Sequence, residues 1–275
     1  MFVPRFDAVD ATDPVACAAF LDLALSLPEV ERWKGFSHDV LSVGDGDYVL
    51  DIGCGTGADA VALARRVGPR GRVVGIDLSH ALVALAQTRA GRLGLPISFR
   101  QADINELPFA DDSFSRTRID RVLHFLPDPG RALREAIRVT ARGGRIVVTE
   151  PDWRTLTVSG GDPGLTAAIL DKGRDRTPGA YIGSILPQLL AQAGLALTDC
   201  HDSTLELREY GVAAVLFGLE ALASHAVAAT PVSAKDAAGW LRSLRQASAL
   251  GTFSCTLSGT IAGGLKPIRT VLPKT

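Results

Sequence analysis

Cysteine and long apolar runs are both scarce in this sequence of 275 residues. The four cysteines, Cys17, Cys54, Cys200 and Cys255, are far apart and include no C-x-x-C pair, so neither a zinc site nor a disulfide framework is predicted. No stretch approaches 18 uninterrupted apolar residues, and the N-terminus holds acids but no apolar segment of the signal-peptide type. We therefore expect no membrane span and no metal, and the cytoplasm is the expected location.

An excess of charge of either sign is also missing. The 29 lysines and arginines face 30 aspartates and glutamates, which leaves a formal net charge of -1 at pH 7. Without a basic surface there is no electrostatic basis for binding nucleic acid or an anionic membrane, so the expected partner is a small molecule. Because 47% of the residues are apolar, the chain can bury a sizeable core. The sequence is compatible with either a monomer or a homo-oligomer.

Apolar segments with strand and helix spacing alternate regularly from residue 47 to residue 150. This alternation is typical of βαβ units, which build a parallel sheet covered by helices on both faces. The predicted strands are 47–52, 72–77, 97–103, 113–121 and 144–150. Two helical patterns precede them at 13–26 and 28–42, and an aspartate followed by a proline marks the start of the first.

The carboxyl ends of these predicted strands carry the marked polar clusters of the first half of the chain. Ligands of open parallel sheets bind at that edge, so the clusters indicate a binding site there. They are Asp51–Gly57, Asp77, Asp103, Asp120–His124 and Glu150–Trp153.

The pattern changes after residue 151. Helices are predicted near 164–175 and 182–193, a strand near 196–208, a long helical stretch from Tyr210 to about Leu250, and a last strand in F-S-C-T-L-S-G-T-I-A-G-G-L. The long stretch exceeds a simple connection, so we expect a lid over the ligand cleft. The predicted division is an N-terminal helical cover (1–45), a core (46–208), a helical lid insertion (209–250) and a final core strand with its tail (251–275).

Three glycines stand at alternate positions in V-L-D-I-G-C-G-T-G-A, between the first predicted strand and the next helix. A strand that ends in glycines and leads into a helix offers unpaired N–H groups and lets a ligand approach the backbone closely. The run satisfies the G-x-G-x-x-G/A pattern of dehydrogenases, and Asp77 lies where an acid accepts from ribose hydroxyls. Spacing alone leaves open NAD, another adenosine cofactor, or a tight turn without a ligand.

Three details separate these alternatives. Asp51 stands ahead of the first glycine, a segment of about 45 residues precedes the first strand, and a third acid, Asp103, follows the third strand. Five motifs then follow in family order from about residue 47 to 152: V-L-D-I-G-C-G-T-G, G-I-D-L-S, Q-A-D-I-N-E-L-P-F-A-D-D-S-F, R-V-L-H-F-L-P-D-P-G-R-A-L-R-E and G-G-R-I-V-V-T-E-P-D. With them the sequence resembles the class I S-adenosylmethionine-dependent methyltransferases, in particular the ubiquinone/menaquinone-type and small-molecule natural-product enzymes.

The resemblance implies a fold, a cofactor and a set of roles. The fold is α/β and Rossmann-like: a doubly wound, seven-stranded, mostly parallel sheet whose antiparallel last strand slots between the fifth and sixth, with a helical lid. The cofactor is S-adenosyl-L-methionine, with S-adenosyl-L-homocysteine as its product. The residues implied to hold its methionyl, ribose and adenine parts are Asp51, Gly53, Cys54, Gly55, Gly57, Asp77, Leu78, Asp103, Ile104, Asp120 and Arg121.

A general base is needed only if the methyl acceptor must lose a proton, and His124 after the fourth strand is the candidate. The alternative is a histidine packed at a helix start, and Phe125 follows it where related enzymes often have a polar residue or a paired histidine. Arg32 or Arg121 is the candidate to pair with the cofactor carboxylate. The candidate substrate-binding residues are Trp33, His38, Trp153, Tyr181 and Phe217, each of which also suits a core or surface position.

The expected activity is methyl transfer from S-adenosylmethionine to a small, largely apolar or aromatic molecule, with biosynthesis of specialised metabolites as the suggested setting. Two alternatives remain at this stage. One is an NAD-dependent oxidoreductase, and the other is a protein of this fold that keeps the cofactor for structure and catalyses a cyclisation or only binds a ligand.

Overall fold

Seven strands form one mixed sheet in the computed structural model, which describes residues 5–173 and 178–268 of the chain. The strands are β1 (Tyr48–Ile52), β2 (Arg72–Asp77), β3 (Ile97–Gln101), β4 (Phe114–Asp120), β5 (Thr140–Ser159), β6 (Ala196–Leu207) and β7 (Ser254–Leu265). Their order across the sheet is β3-β2-β1-β4-β5-β7-β6. The first five strands pair in parallel, and β7 runs antiparallel to both β5 and β6. The predicted sheet, with its antiparallel last strand between the fifth and sixth, is confirmed.

Helices of the described residues pack around this sheet: α1 (Pro14–Leu25), α2 (Pro28–Leu41), α3 (Ala58–Arg66), α4 (His80–Ala90), α5 (Pro129–Val139), α6 (Pro163–Gly173), α7 (Ile182–Gln192), α8 (Tyr210–Leu216), α9 (Leu219–Ala229) and α10 (Ala234–Ala249). Side-chain caps start α1 and α4, where Asp13 accepts from the Ala16 N–H at 2.9 Å and Ser79 from the Leu82 N–H at 3.1 Å. Such an oxygen pairs an N–H group that a helix start leaves free, and α1 begins close to its predicted position.

The central strand β1 is buried on both faces. Val49, Leu50 and Ile52 are at most 1% exposed. Leu50 and Ile52 pack in one apolar cluster with α5 and α7, whereas Val49 packs in another with α3 and α4. Alternate side chains of a strand point to opposite faces, so both faces of β1 are covered. A ligand therefore reaches this strand only at its end.

The fifth strand is longer than the predicted 144–150. It passes the ends of the parallel strands, shifts register between Asp152 and Thr157, and continues beside the first residues of β7. Leu156, inside the irregular segment, is 1% exposed and packs against the apolar cluster of the later helices. An irregularity of this kind breaks the alternation of side chains, so the extension left no simple pattern in the sequence.

The helical stretch predicted from Tyr210 to about Leu250 consists of three helices. Gly218, in the left-handed conformation with φ of 64°, separates α8 from α9, and residues 230–233 separate α9 from α10. These helices share one apolar cluster with α6, Ala24 of α1 and Val30 of α2. Within the described ranges, no single helix is long and apolar enough to cross a membrane; α8 and α9 meet that test only as a pair, bent by 61°.

Candidate functional site

A cavity of about 900 Å³ lies at the carboxyl ends of the parallel strands. The loops after β1 to β4 and residues of β5 form part of its wall, and α1, α2, α8 and α9 contribute another part. Its volume is in the range of sites that hold small ligands and cofactors. The side chains that the four helices contribute are mainly apolar and include Phe20, Leu21, Ala24, Leu25, Val30, Trp33, Val215, Leu216, Phe217 and Ala221.

The glycine loop between β1 and α3 forms one part of the cavity wall. Gly53, Gly55 and Gly57 all have positive φ values, between 51° and 84°. A Cβ atom on Gly53 would lie 2.2 Å from a methyl group of Val122, so a larger residue does not fit there. Gly53 and Gly55 line the cavity as the resemblance implies. Gly57 lies behind the wall, where a Cβ would meet the side chains of Phe99 and Ala86 at 2.8 and 2.9 Å.

Replacing Gly57 by alanine is expected to lower the free energy of unfolding by about 2–5 kcal/mol, since backbone strain and crowding add. Urea denaturation measures the change. Gly94→Ala is the matched control, because Gly94 has a φ of 62° but no atom within 4 Å of an added Cβ. Gly94→Ala should lower the free energy of unfolding only by the smaller amount that comes from backbone strain. Equal decreases in the two variants would contradict the crowding at Gly57.

The acids at the ends of β2 and β3 both reach the cavity. Asp77 accepts from the Gly55 and Ser79 N–H groups, each at 2.9 Å, and burial raises its pKa. Asp103 accepts from the Asn105 N–H at 2.8 Å. Leu78, Ile104 and Arg121 also line the cavity, as does Cys54. The pKa of the Cys54 thiol is raised well above its usual range by burial, so this cysteine stays a neutral thiol and is not a nucleophile.

Two cations and three carboxylates form what we term the ion cluster: Lys34, Asp51, Asp59, Arg118 and Asp120. Arg118 donates to Asp51 at 3.0 Å and to Asp120 at 2.7 Å. Lys34, from α2, donates to Asp120 at 2.8 Å and also to Asp59 at the start of α3. The cluster therefore ties α2 to the loop after β1 and to the end of β4.

The cluster's charges shift one another's protonation. Burial opposes the charged form of Asp59 and Asp120, but Arg118 and Lys34 outweigh it and lower the pKa of both carboxyls. Burial raises the pKa of Asp51, against the pull of Arg118. The pKa of Arg118 rises above its usual value because the three carboxylates outweigh its own burial.

Lys34, Asp59 and Arg118 were not among the predicted site residues, although the sequence carries two signals for them. Arg118 is a charged residue inside a strand predicted to be buried on both faces, and such a charge must have partners. Lys34 is one of only five lysines in the chain. Lys34 lies 25 and 86 positions from its partners Asp59 and Asp120, so only the folded chain shows them together.

Some predicted site residues lie elsewhere than expected. Asp51 is completely buried behind the cavity wall, so it reaches the site through Arg118 instead of lining it. Arg32 is exposed and pairs with Glu29, which leaves Arg121, on the cavity wall, as the nearer of the two arginines proposed for the cofactor carboxylate.

The predicted substrate-binding set divides in two. Trp33, Trp153 and Phe217 line the cavity, and the rings of Trp153 and Phe217 meet edge to face with their centroids 6.4 Å apart. The other two residues do not line this cavity. His38 does not line the cavity, because its Nε2 lies 3.1 Å from Asp59 and it packs beside the ion cluster. Tyr181 also lies off the wall, on the surface beneath the guanidinium of Arg154.

His124 lies in a single helical turn after β4 and lines the cavity. Its Nδ1 is 2.7 Å from Oε2 of Glu150, which is completely buried at the end of the parallel part of β5. Oε1 of Glu150 accepts from the Val122 and Leu123 N–H groups at 2.9 and 2.6 Å. A carboxylate only accepts, so Nδ1 carries the proton of the neutral ring and Nε2 keeps its lone pair. Among the described residues Nε2 has no hydrogen-bond partner.

Known proteins with similar sequences indicate a family for this chain. A family model described as a methyltransferase domain matches residues 44–176. A 37.1 kDa transposon protein of Streptomyces fradiae is 35% identical over 224 residues, which are 81% of this chain and 65% of that protein. The demethylmenaquinone methyltransferase of Lactobacillus johnsonii is 35% identical over 133 residues, which are 48% of this chain and 54% of that enzyme. The chain thus spans less than two thirds of the length of either relative.

A solved structure extends the likeness to the later helices. The crystal structure of the cyclase SpnF covers 97% of this chain and 98% of its own, with a TM-score of 0.60 and 22% identity. At that identity the similarity shows the fold alone. The matched domain contains the glycine loop, both acids at the ends of β2 and β3, and the His124–Glu150 pair. Residues 44–176 thus match the family model of a methyltransferase domain.

Proposed function

We propose that this protein transfers a methyl group from S-adenosylmethionine to a small, largely apolar or aromatic molecule, with His124 as the general base. One observation carries the proposal: His124, oriented by the bond between its Nδ1 and Glu150, lines the same cavity as the glycine loop and the acids of β2 and β3. A candidate base and the residues proposed to bind the cofactor therefore line one largely apolar cavity.

The residues present fit the cofactor. Gly53 and Gly55 leave the wall free of Cβ atoms, and Asp77 presents a carboxylate to the cavity where ribose hydroxyls can donate to it. Asp103, Leu78 and Ile104 would hold the adenine side. The bound sulfonium supplies an activated methyl group. The protein's task is then to hold the acceptor atom in line, which is worth about 7–11 kcal/mol in well-oriented reactions.

The apolar helical walls support an apolar acceptor. Ala24, Val30, Leu216 and Phe217 are each less than 10% exposed yet line the cavity. A polar acceptor would leave its own groups unpaired against these side chains. We propose that α1, α2, α8 and α9 act together as the cover over the acceptor, which corresponds to the N-terminal cover and the lid of the sequence prediction.

His124 acts where the acceptor is a hydroxyl or a C–H that must lose its proton. Nε2 takes that proton, and Glu150 stabilises the positive charge that the ring then carries. The name of the Lactobacillus johnsonii relative, a demethylmenaquinone methyltransferase, is compatible with an acceptor of this kind. A carboxylate that orients a histidine and accepts two backbone N–H groups is rigid, as a catalytic pair requires.

Asp77→Asn tests the cofactor assignment. Because a hydrogen bond to a charged group is worth about 1.5–3 kcal/mol, the variant should bind S-adenosylhomocysteine roughly 10- to 100-fold more weakly. Isothermal titration measures this, with the exposed Asp22→Asn as control, since Asp22 pairs only with Arg89 on the surface. Tight binding of NAD by the wild type without binding of S-adenosylhomocysteine would overturn the proposal. Binding without product formation from any acceptor would favour the cyclase or binding-protein alternative.

A further inference from the structure

Buried polar atoms of α2 and β5 on the cavity wall lack a hydrogen-bond partner among the described residues, as does Nε of Arg118 in the ion cluster. The indole Nε1 of Trp33, on α2, and the hydroxyl of Thr149, on β5, are shielded from solvent and have no hydrogen-bond partner among the described residues. Both residues line the cavity. Buried polar groups are nearly always paired, because an unpaired one loses its bonds to water without replacement. Each of these two atoms therefore calls for a partner that the protein does not supply.

The two residues lie on the same face of the sheet. Thr149 is directly opposite Ile261 of β7, and Pro151, two positions on, is opposite Gly259. The benzo ring of Trp33 lies over Gly259, where an added Cβ would come within 2.6 Å of it, and Trp33 packs in the same cluster as Ile261. Residues two apart in a strand share a face about 7 Å apart. Both side chains therefore lie on the same side of the sheet and border the same cavity.

Their position favours the methyl acceptor over the cofactor. Most cofactor-type residues follow β1, β2 and β3, and Thr149 lies beside Asp120 at the end of β4. Gly259, under Trp33, and Pro151 lie where β5 and β7 continue past the parallel strands toward the later helices. The cofactor carboxylate has cations to meet, because Lys34 and Arg121 also line the cavity. A neutral indole N–H and a hydroxyl suit a neutral oxygen instead.

We propose that Trp33 and Thr149 recognise an oxygen atom, a carbonyl or hydroxyl, on the otherwise apolar acceptor. An indole N–H only donates, while a threonine hydroxyl donates or accepts, so together they pair with one oxygen but not with a hydrocarbon edge. The proposal rests on the proposed function, which it deepens by naming the chemical class of the acceptor as an oxygenated aromatic or enone.

The test compares two probes that differ by one oxygen, 2-naphthol and naphthalene, on the full chain saturated with S-adenosylhomocysteine. The wild type should bind 2-naphthol roughly five- to tenfold more tightly. Trp33→Phe and Thr149→Val keep the shape of the wall but remove one polar group each, so each should reduce that preference to about twofold. Both variants lose an unpaired buried group, so their melting temperatures should not fall, which shows that they are folded.

Trp240→Phe serves as the control, because its indole donates to Thr166 at 2.9 Å away from the cavity, so the change should leave the preference for 2-naphthol in place. Two results would overturn the proposal: a preference that survives both test variants, or affinity for S-adenosylhomocysteine that falls in place of affinity for 2-naphthol, which would assign the oxygen to the cofactor. A wild type that fails to bind S-adenosylhomocysteine at all would instead refute the proposed function.

Discussion

His124→Ala is expected to lower turnover by about 10²- to 10⁴-fold, the usual contribution of a general base, with little change in cofactor affinity. The reason is geometric: His124 is joined to Glu150, and none of its described contacts is with a cofactor-type residue. Formation of S-adenosylhomocysteine with reduced 1,4-naphthoquinone as trial acceptor measures turnover, and isothermal titration measures cofactor affinity.

Glu150→Gln tests the same pair by another route. The amide oxygen can still accept from Val122 and Leu123, but the amide NH₂ faces Nδ1 and donates to it, which puts the ring proton on Nε2. The variant should fold and yet be nearly as slow as His124→Ala. His80→Ala, on the exposed start of α4, is the control and should turn over normally. If turnover is undiminished in His124→Ala, this histidine is a packing residue and the acceptor needs no base from it.

Arg118→Met is expected to lower the free energy of unfolding by about 3–5 kcal/mol, because it leaves buried carboxylates short of a cation. Arg118 is 2% exposed and donates to Asp51 and Asp120. Arg66→Met is the control, since Arg66 and Asp39 form an exposed pair worth less than about 1 kcal/mol. Urea denaturation at neutral pH compares the two, and losses of similar size would mean that the ion cluster contributes no more than a surface pair.

The same variant should change the dependence of stability on pH. Asp59 and Asp120 have lowered pKa values in the folded chain, so the stability they contribute is present above their unfolded pKa, near 4, and is lost as the pH falls through the folded values. Without Arg118 their folded pKa values rise toward the unfolded one. We therefore expect acid unfolding of Arg118→Met to begin at a higher pH than that of the wild type.

The parallel half of the sheet could be predicted in detail because its signals are local. A strand such as 72–77 ends at Asp77 in the structure as predicted, since an apolar run, a polar end and a capping serine lie within eight residues. The lid could be predicted only as helical, because Gly218 and residues 230–233 break a pattern that remains apolar on either side. The extension of β5 beyond residue 150 was not predicted for a related reason: its irregular segment lacks the alternation of apolar and polar residues that marks a strand.

The candidate site likewise contains residues that local sequence signals could predict and residues that they could not. Gly53, Asp77 and Asp103 follow strand ends, and parallel strands bring their carboxyl ends to one edge, so their convergence followed from the order of the motifs. The positions of the two buried histidines did not follow from the order of the motifs. His38 and His124 are both buried, yet Asp59 draws His38 into the ion cluster while Glu150 holds His124 on the cavity wall. The aspartate and glutamate that decide this are 21 and 26 positions away.

The sequence by itself determined the class of sheet and the order of its motifs, because both depend on residues that are neighbours along the chain. Only the tertiary structure decided which carboxylate meets which cation, why Gly57 is a packing residue, and where Trp33 and Thr149 were left without partners. Pairing, crowding and burial depend on distances between segments far apart in sequence, and those distances are set when the helices close over the ends of the strands.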